Sequence, residues 1–263
     1  MWYNFDMHTT IKQRRPGYGD FGNLSMTYGT ARREFPPSVI SCLQATIPLK
    51  KSTVIDLGCG TGISTRQIAD QGATVIGVDK DEKMITMAET IPYRNITYIC
   101  AKSENLPFVN GIFDAATAFS SFHWFANRKA LKEIQRVLKY NGVFFVVNKN
   151  DNGKLKEKYR KIIKEFVKSG SLPNTKKYYK PAELLRDYFT DITERVFQAK
   201  ETFSVSQVLT YFQSVSLWNL VPKKRQSEAL KALEESCKNF MTPKGFIERE
   251  ISIIAVSGRK PAI

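Results

Sequence analysis

The sequence predicts an α/β fold: a parallel-dominated, Rossmann-like sheet covered by helices on both faces. Three observations predict it. Between about Ser38 and Asn148, short β-branched runs alternate with helical stretches, which is the pattern of βαβ units. The apolar run Val54-Ile55-Asp56-Leu57 leads directly into the glycine-rich turn Gly58-Cys59-Gly60-Thr61-Gly62. Glycines in such a turn let the backbone reverse tightly and let a ligand approach the main chain. Finally, 263 residues with 42% hydrophobic and 25% charged side chains suffice for a sizeable core and show none of the depletion that marks disorder.

Taken in order, the predicted strands are Thr53–Leu57, Thr74–Val78, Ile96–Cys100, Phe113–Phe119 and Val143–Asn148. Helices are predicted between them near Gly62–Gln71, Lys80–Thr90 and Lys129–Leu138. In the last of these, Leu131, Ile134, Val137 and Leu138 form a stripe at helical spacing, with Asn141-Gly142 as the expected left-handed stop. Beyond the polar break Asn150–Gly153, a helix carries Leu155, Tyr159, Ile162, Ile163 and Phe166 on one face. A loop is expected through Ser169–Lys180, then helices at Pro181–Tyr188, Ser204–Ser214 and Lys223–Phe240. Further strands are expected near Ile192–Gln198 and Ile247–Val256. The chain thus divides into an N-terminal helical lid (1–37), a core (38–148), a mostly helical insertion after the fifth strand (149–245) and a final strand (246–263).

Composition narrows the function classes. Cys42, Cys59, Cys100 and Cys237 form no close C-x-x-C pair, and His8 and His123 are the only histidines. Neither a zinc site nor a disulfide framework is expected. No run approaches the roughly 18 apolar residues of a membrane span, and Met1–Arg15 lacks a signal-peptide apolar stretch, so a cytoplasmic protein is expected. The net charge is +15 and uneven: residues 1–138 carry 16 Lys+Arg against 12 Asp+Glu, and residues 139–263 carry 24 against 13. That excess is expected to surround the substrate rather than the cofactor fold.

Two nucleotide motifs are weighed against the glycine turn. A dinucleotide fingerprint G-x-G-x-x-G would place a third glycine at position 63, where Ile63 stands. A P-loop would require Gly-Lys-Ser/Thr after the turn, and none follows. The second strand ends at Asp79, a carboxylate placed where an adenosine ribose would offer two hydroxyls. The ordinary alternative is a glycine turn that holds no ligand.

The run Asp56-Leu57-Gly58-Cys59-Gly60-Thr61-Gly62, followed by Asp79, resembles the cofactor motifs of class I S-adenosylmethionine methyltransferases. The likeness continues through Ser103-Glu104-Asn105-Leu106-Pro107-Phe108, Phe113-Asp114 and Glu133–Gly142, blocks similar to the type 11 branch. Ser121-Phe122-His123-Trp124-Phe125, Tyr28–Arg32 and Phe35-Pro36 are similar to a subgroup that includes trans-aconitate methyltransferase-like proteins.

The resemblance implies S-adenosylmethionine as cofactor and methyl transfer to a small molecule, with a carboxylate as one candidate acceptor. It implies backbone contacts from Gly58, Cys59, Gly60 and Gly62, a ribose contact from Asp79 next to Lys80, and Asp56 facing the cofactor's amino group. Ser103 and Glu104 would lie at the adenine end, although the acid–Ala pair of many relatives is Lys102-Ser103 here. Ser120, after strand four, would be a further cofactor contact. Tyr28 and Arg32, four residues apart on one helical face, would close over the cofactor or the substrate, unless they are a packing ring and a solvated charge. His123, at the carboxyl edge, is the candidate catalytic base or acceptor contact; a packed imidazole in an aromatic wall is the alternative. Tyr178, Tyr179, Phe212 and Trp218 are candidate pocket residues or simple core. Two other functions remain open: an RNA or protein methyltransferase using the basic second half, and a cofactor-binding protein without turnover.

Overall fold

The computed structural model of the chain describes residues 21–151, 153–167, 172–173 and 179–262; Tyr178 and the lid before Phe21 lie outside them. A 3-10 turn, Gly22–Leu24, leads into helix α1 (Ser25–Ala31), and α2 (Pro37–Thr46) follows. The core then runs β1 (Thr53–Leu57), α3 (Ile63–Ala69), β2 (Thr74–Asp79), α4 (Glu82–Glu89), β3 (Ile96–Cys100), β4 (Phe113–Phe119), α5 (Arg128–Val137) and β5 (Leu138–Asn150). After it come α6 (Lys154–Phe166), α7 (Pro181–Arg186), β6 (Thr190–Phe203), α8 (Val205–Gln213), α9 (Gln226–Cys237) and β7 (Ile247–Arg259).

The strands form one seven-stranded sheet in the order β3-β2-β1-β4-β5-β7-β6. Strands β1 to β5 are parallel, and β7 inserts antiparallel between β5 and β6. Buried apolar side chains cover both faces. One layer is centred on Val54, Phe145 and Leu43 of α2, the other on Ile55, Phe144 and Ile134 of α5. A third cluster lies among α6, α8 and α9, with Tyr159, Phe212, Trp218 and Leu233 inside it.

Three sequence expectations are corrected. Helix α5 ends at Val137 because Leu138 is already extended (φ −72°, ψ 141°); its start is fixed by Asn127, whose side chain accepts from Ala130 N–H. Asn141 is left-handed (φ 60°), yet it bends β5 four residues past the helix rather than stopping it. Arg32 is the C-cap of α1, with extended backbone (φ −84°, ψ 137°) and its N–H donating to the Tyr28 carbonyl, and its side chain stays beside Tyr28. Strand β6 spans 14 residues, twice the expected length, because its solvent-facing charges at Asp191, Glu194, Arg195 and Lys200 obscure the period-two pattern. Helix α2 was not expected at all; Pro37 at its first turn starts it.

Candidate active site

The site lies at the carboxyl edge of β1, β2 and β4, where crossover connections leave a crevice for ligands. Three glycines of the turn after β1 are left-handed: Gly58 (φ 64°), Gly60 (φ 55°) and Gly62 (φ 78°). Their surroundings differ. A Cβ on Gly58 would lie 2.5 Å from Ser121 Cβ, and one on Gly62 would lie 2.2 Å from Tyr98 Oη, so protein packing demands both glycines. A Cβ on Gly60 would meet only Tyr28, at 3.9 Å. Gly60 therefore marks the face of the turn that is open to a ligand.

Asp56 points beneath this turn. It is 1% exposed, and its oxygens accept from Ser64, Thr65 and Thr117 hydroxyls, each at 2.8 Å. Burial pushes its carboxyl up to about 6 despite those bonds, with the nearby Asp79 charge adding to the rise. Ser64 and Thr65 share one oxygen and Thr117 takes the other, so Asp56 pins β4 and α3 beneath the turn.

Asp79 is only partly covered. Its Oδ2 accepts from Gly60 N–H at 2.9 Å and its Oδ1 from Asp81 N–H at 3.0 Å. Each oxygen keeps lone-pair capacity beyond those bonds. Burial raises this carboxyl too, against the two backbone N–H groups. Asp81 caps α4 by accepting from Lys83 N–H, and Gly22 of the lid packs so tightly on it that a Cβ would lie 2.5 Å from Asp81 Oδ1.

The remaining expected residues are dispersed around this centre. Cys59 is buried, its thiol pushed well up by burial and by Asp79 and Asp56, so the turn presents only its backbone. Lys80 is exposed. Ser103 is buried beside Glu104, whose Oε1 accepts from Asn127 Nδ2 at 2.9 Å; this segment is tied to Asp79 through Ala101 N–H, which donates to the Asp79 carbonyl. Ser120 adopts a left-handed backbone (φ 54°) and accepts from Lys149 N–H through its hydroxyl.

An aromatic wall closes the other side. Phe21 stands edge-on to both Tyr28 (5.8 Å) and Trp124 (5.3 Å). His123 lies in a 3-10 turn after β4, 4.9 Å from the Trp124 ring and 5.9 Å from Tyr179. The hydroxyl of Tyr179 accepts from Asn148 Nδ2 at 3.5 Å. Phe212 and Trp218 do not join this wall: Phe212 stacks on Tyr159 (4.4 Å), and both belong to the third core.

Arg32 is held away from the turn. Its guanidinium lies over the Tyr28 ring (4.6 Å) and the Tyr211 ring (4.7 Å), and it donates to the Ser214 carbonyl at 3.0 Å and to Tyr211 Oη at 3.4 Å. Sequence reasoning missed Tyr211, Lys149, Glu201 and Arg249, which meet beside it. A charged residue inside the otherwise apolar alternation of β7, Arg249 between Ile247 and Ile251, was the one available signal.

Among the described residues, no group of three or more His, Cys, Asp or Glu side chains could hold a metal ion, and no helix is long and apolar enough to cross a membrane.

Residues 55–146 match a family described as a methyltransferase domain. An uncharacterised methyltransferase of Schizosaccharomyces pombe is 28% identical over 235 residues, covering 88% of this chain and 92% of its own. A solved structure described as a type II methyltransferase, from Anaeromyxobacter dehalogenans, superposes with a TM-score of 0.67 at 20% identity, covering 88% of this chain and 99% of that one. A phosphoethanolamine N-methyltransferase of Haemonchus contortus, solved with phosphomonomethylethanolamine and S-adenosylhomocysteine, gives a TM-score of 0.54 at 16% identity over 92% of this chain and 58% of its own.

Proposed function

For a class I S-adenosylmethionine-dependent methyltransferase, which its domain match and its relatives make this chain, we propose a small-molecule acceptor methylated on a carboxylate oxygen. The observation that carries the reading is the roof over the glycine turn: Tyr28 above Gly60, Phe21 bridging to Trp124, and His123 with Tyr179 beyond. A site roofed by its own side chains favours an acceptor that can be enclosed over a polymer that must stay outside.

The residues at the turn fit the cofactor. Gly60 leaves room for its methionine and ribose portions against the backbone, and the free lone pairs of Asp79 suit two ribose hydroxyls. Gly58 and Gly62 shape the turn, Cys59 lends its backbone, Asp56 positions the turn from below, and Lys80 flanks the ribose. Ser103 and Glu104 border the adenine end, and Ser120 the methionine end. The Tyr28 ring, stacked under Arg32, borders the open side of Gly60 and would wall the bound cofactor there. The bound cofactor supplies a methyl group already activated by a positive sulfur.

The protein's part is then alignment and exclusion of water. An ionised carboxylate attacks without a general base, so His123 is read as an acceptor contact before a base. Tyr179, from the segment after β5, adds to the enclosure on the acceptor side. The test is transfer of isotopically labelled methyl groups into fractionated small-molecule extracts. Mild alkali should release the label as methanol, the behaviour of a methyl ester; label that resists alkali would refute the carboxylate, and label only in RNA or protein would refute the small molecule.

A further inference from the structure

Where β5 and β6 reach their carboxyl ends and the antiparallel β7 begins, residues from five parts of the chain converge. Arg249 is 6% exposed and stands opposite Glu201 in the β6–β7 register. Its Nη2 donates to Glu201, whose other oxygen takes Lys149 Nζ at 3.2 Å. Its Nη1 lies 3.6 Å from Asp151 Oδ2, an ion pair beyond hydrogen-bond reach. Its guanidinium rests over the Tyr211 ring at 4.0 Å, the same ring that Arg32 covers. An alternating ladder Tyr28–Arg32–Tyr211–Arg249 therefore runs from the glycine turn to this cluster.

Among the described residues, Arg32, Lys149 and Arg249 gather around Glu201 and Asp151. Among the described residues, Arg32 Nε and Arg249 Nε and Nη1 find no hydrogen-bond acceptor. Buried donors without acceptors are costly. The local field shows in its neighbours. Burial acts to raise the Tyr211 phenol, but Arg249 and Arg32 outweigh it and hold the group below its ordinary value. Glu201 is likewise held below its ordinary value by Lys149 and Arg249, against its burial.

We propose that this cluster is the subsite for an anionic group of the acceptor, a carboxylate or phosphate distinct from the atom methylated, received by Arg249 and Arg32 with Tyr211 between them. The inference rests on the proposed acceptor site and extends it. The reacting atom lies by Tyr28 and the glycine turn, while the anionic group lies two stacking steps along the ladder. Arg249 and Tyr211 then select acceptors by charge and by length, and they take no part in the displacement.

The test is equilibrium dialysis of the protein, with and without saturating S-adenosylhomocysteine, against labelled acetate, inorganic phosphate and neutral acetamide at fixed ionic strength. The wild type should retain one or both anions well above acetamide, and the preferred anion tells a carboxylate from a phosphate. Arg249→Gln should weaken anion retention at least tenfold while leaving S-adenosylhomocysteine affinity unchanged. Should that variant fail to fold, Tyr211→Phe, which keeps the ring and removes the hydroxyl, should weaken it about threefold. Wild type that holds the anions no better than acetamide, or variants that hold them as well as wild type, would overturn the proposal. Wild type that retains anions but not S-adenosylhomocysteine would instead refute the cofactor reading.

Discussion

At the β1–β2 end of the carboxyl edge, two carboxylates are held by neutral donors; at the β5–β6–β7 end, Glu201 and Asp151 lie among Arg32, Lys149 and Arg249. Burial acts in the same direction on Asp56, Asp79 and Glu201, yet the outcomes are opposite. Asp56 is pushed up to about 6 and Asp79 is raised, whereas Glu201 is lowered. Hydroxyl and amide donors soften desolvation without cancelling it; a neighbouring guanidinium or ammonium reverses it. The first end is therefore short of positive charge and the second is rich in it. A cofactor bearing a sulfonium and an ammonium suits the first, and an anionic acceptor group suits the second.

The comparison is broken most severely at Gly58. Gly58→Ala combines a left-handed backbone with a Cβ 2.5 Å from Ser121 Cβ. It should cost about 4 kcal/mol of stability, the sum of left-handed strain and overpacking, read as the urea midpoint; a wild-type midpoint would show that the turn is not held as described. Next comes Asp79→Ala, which removes the carboxylate proposed to hold the ribose and should weaken S-adenosylhomocysteine binding by about 3 kcal/mol, roughly 100-fold. Calorimetry measures it, and an unchanged affinity would move the ribose elsewhere.

The smallest effect concerns pH. Asp56 has a higher pKa in the folded chain than the ordinary 3.8, so the native state binds its proton more tightly than the unfolded state does. Its contribution favours folding below about pH 4 and is lost as pH rises through about 6, a change on the order of 2 kcal/mol. Asp56→Asn, still able to meet the three hydroxyls, should flatten that part of the stability curve. Parallel curves for variant and wild type between pH 4 and 7 would contradict the burial described for Asp56.

The two ends also differ in how far the sequence exposes them. Strands β1, β3 and β4 fall where the β-branched runs end, and the glycine turn and Asp79 sit within 22 residues of one another, so local pattern is enough to find them. What the pattern misses is direction: nothing in Asp56-Leu57-Gly58 says that the carboxylate turns inward to Thr117, a β4 residue. At the other end, Arg32, Lys149, Glu201, Tyr211 and Arg249 are brought together only by the antiparallel insertion of β7. That is a property of strand order rather than of any short motif. The same applies to Arg32: its place beside Tyr28 follows from the four-residue spacing, but its contacts to Tyr211 and Ser214 do not.

Gly22 packed on Asp81 ties the lid to the two-residue step Asp79–Asp81. A ligand that orders this step by engaging Asp79 lowers the entropy lost when the Gly22–Leu24 turn docks. Thermodynamic reciprocity then requires that a docked lid tighten the ligand by the same factor. A ligand at the ribose end and the closed aromatic roof would then support each other, joined where Gly22 meets the Asp81 carboxylate.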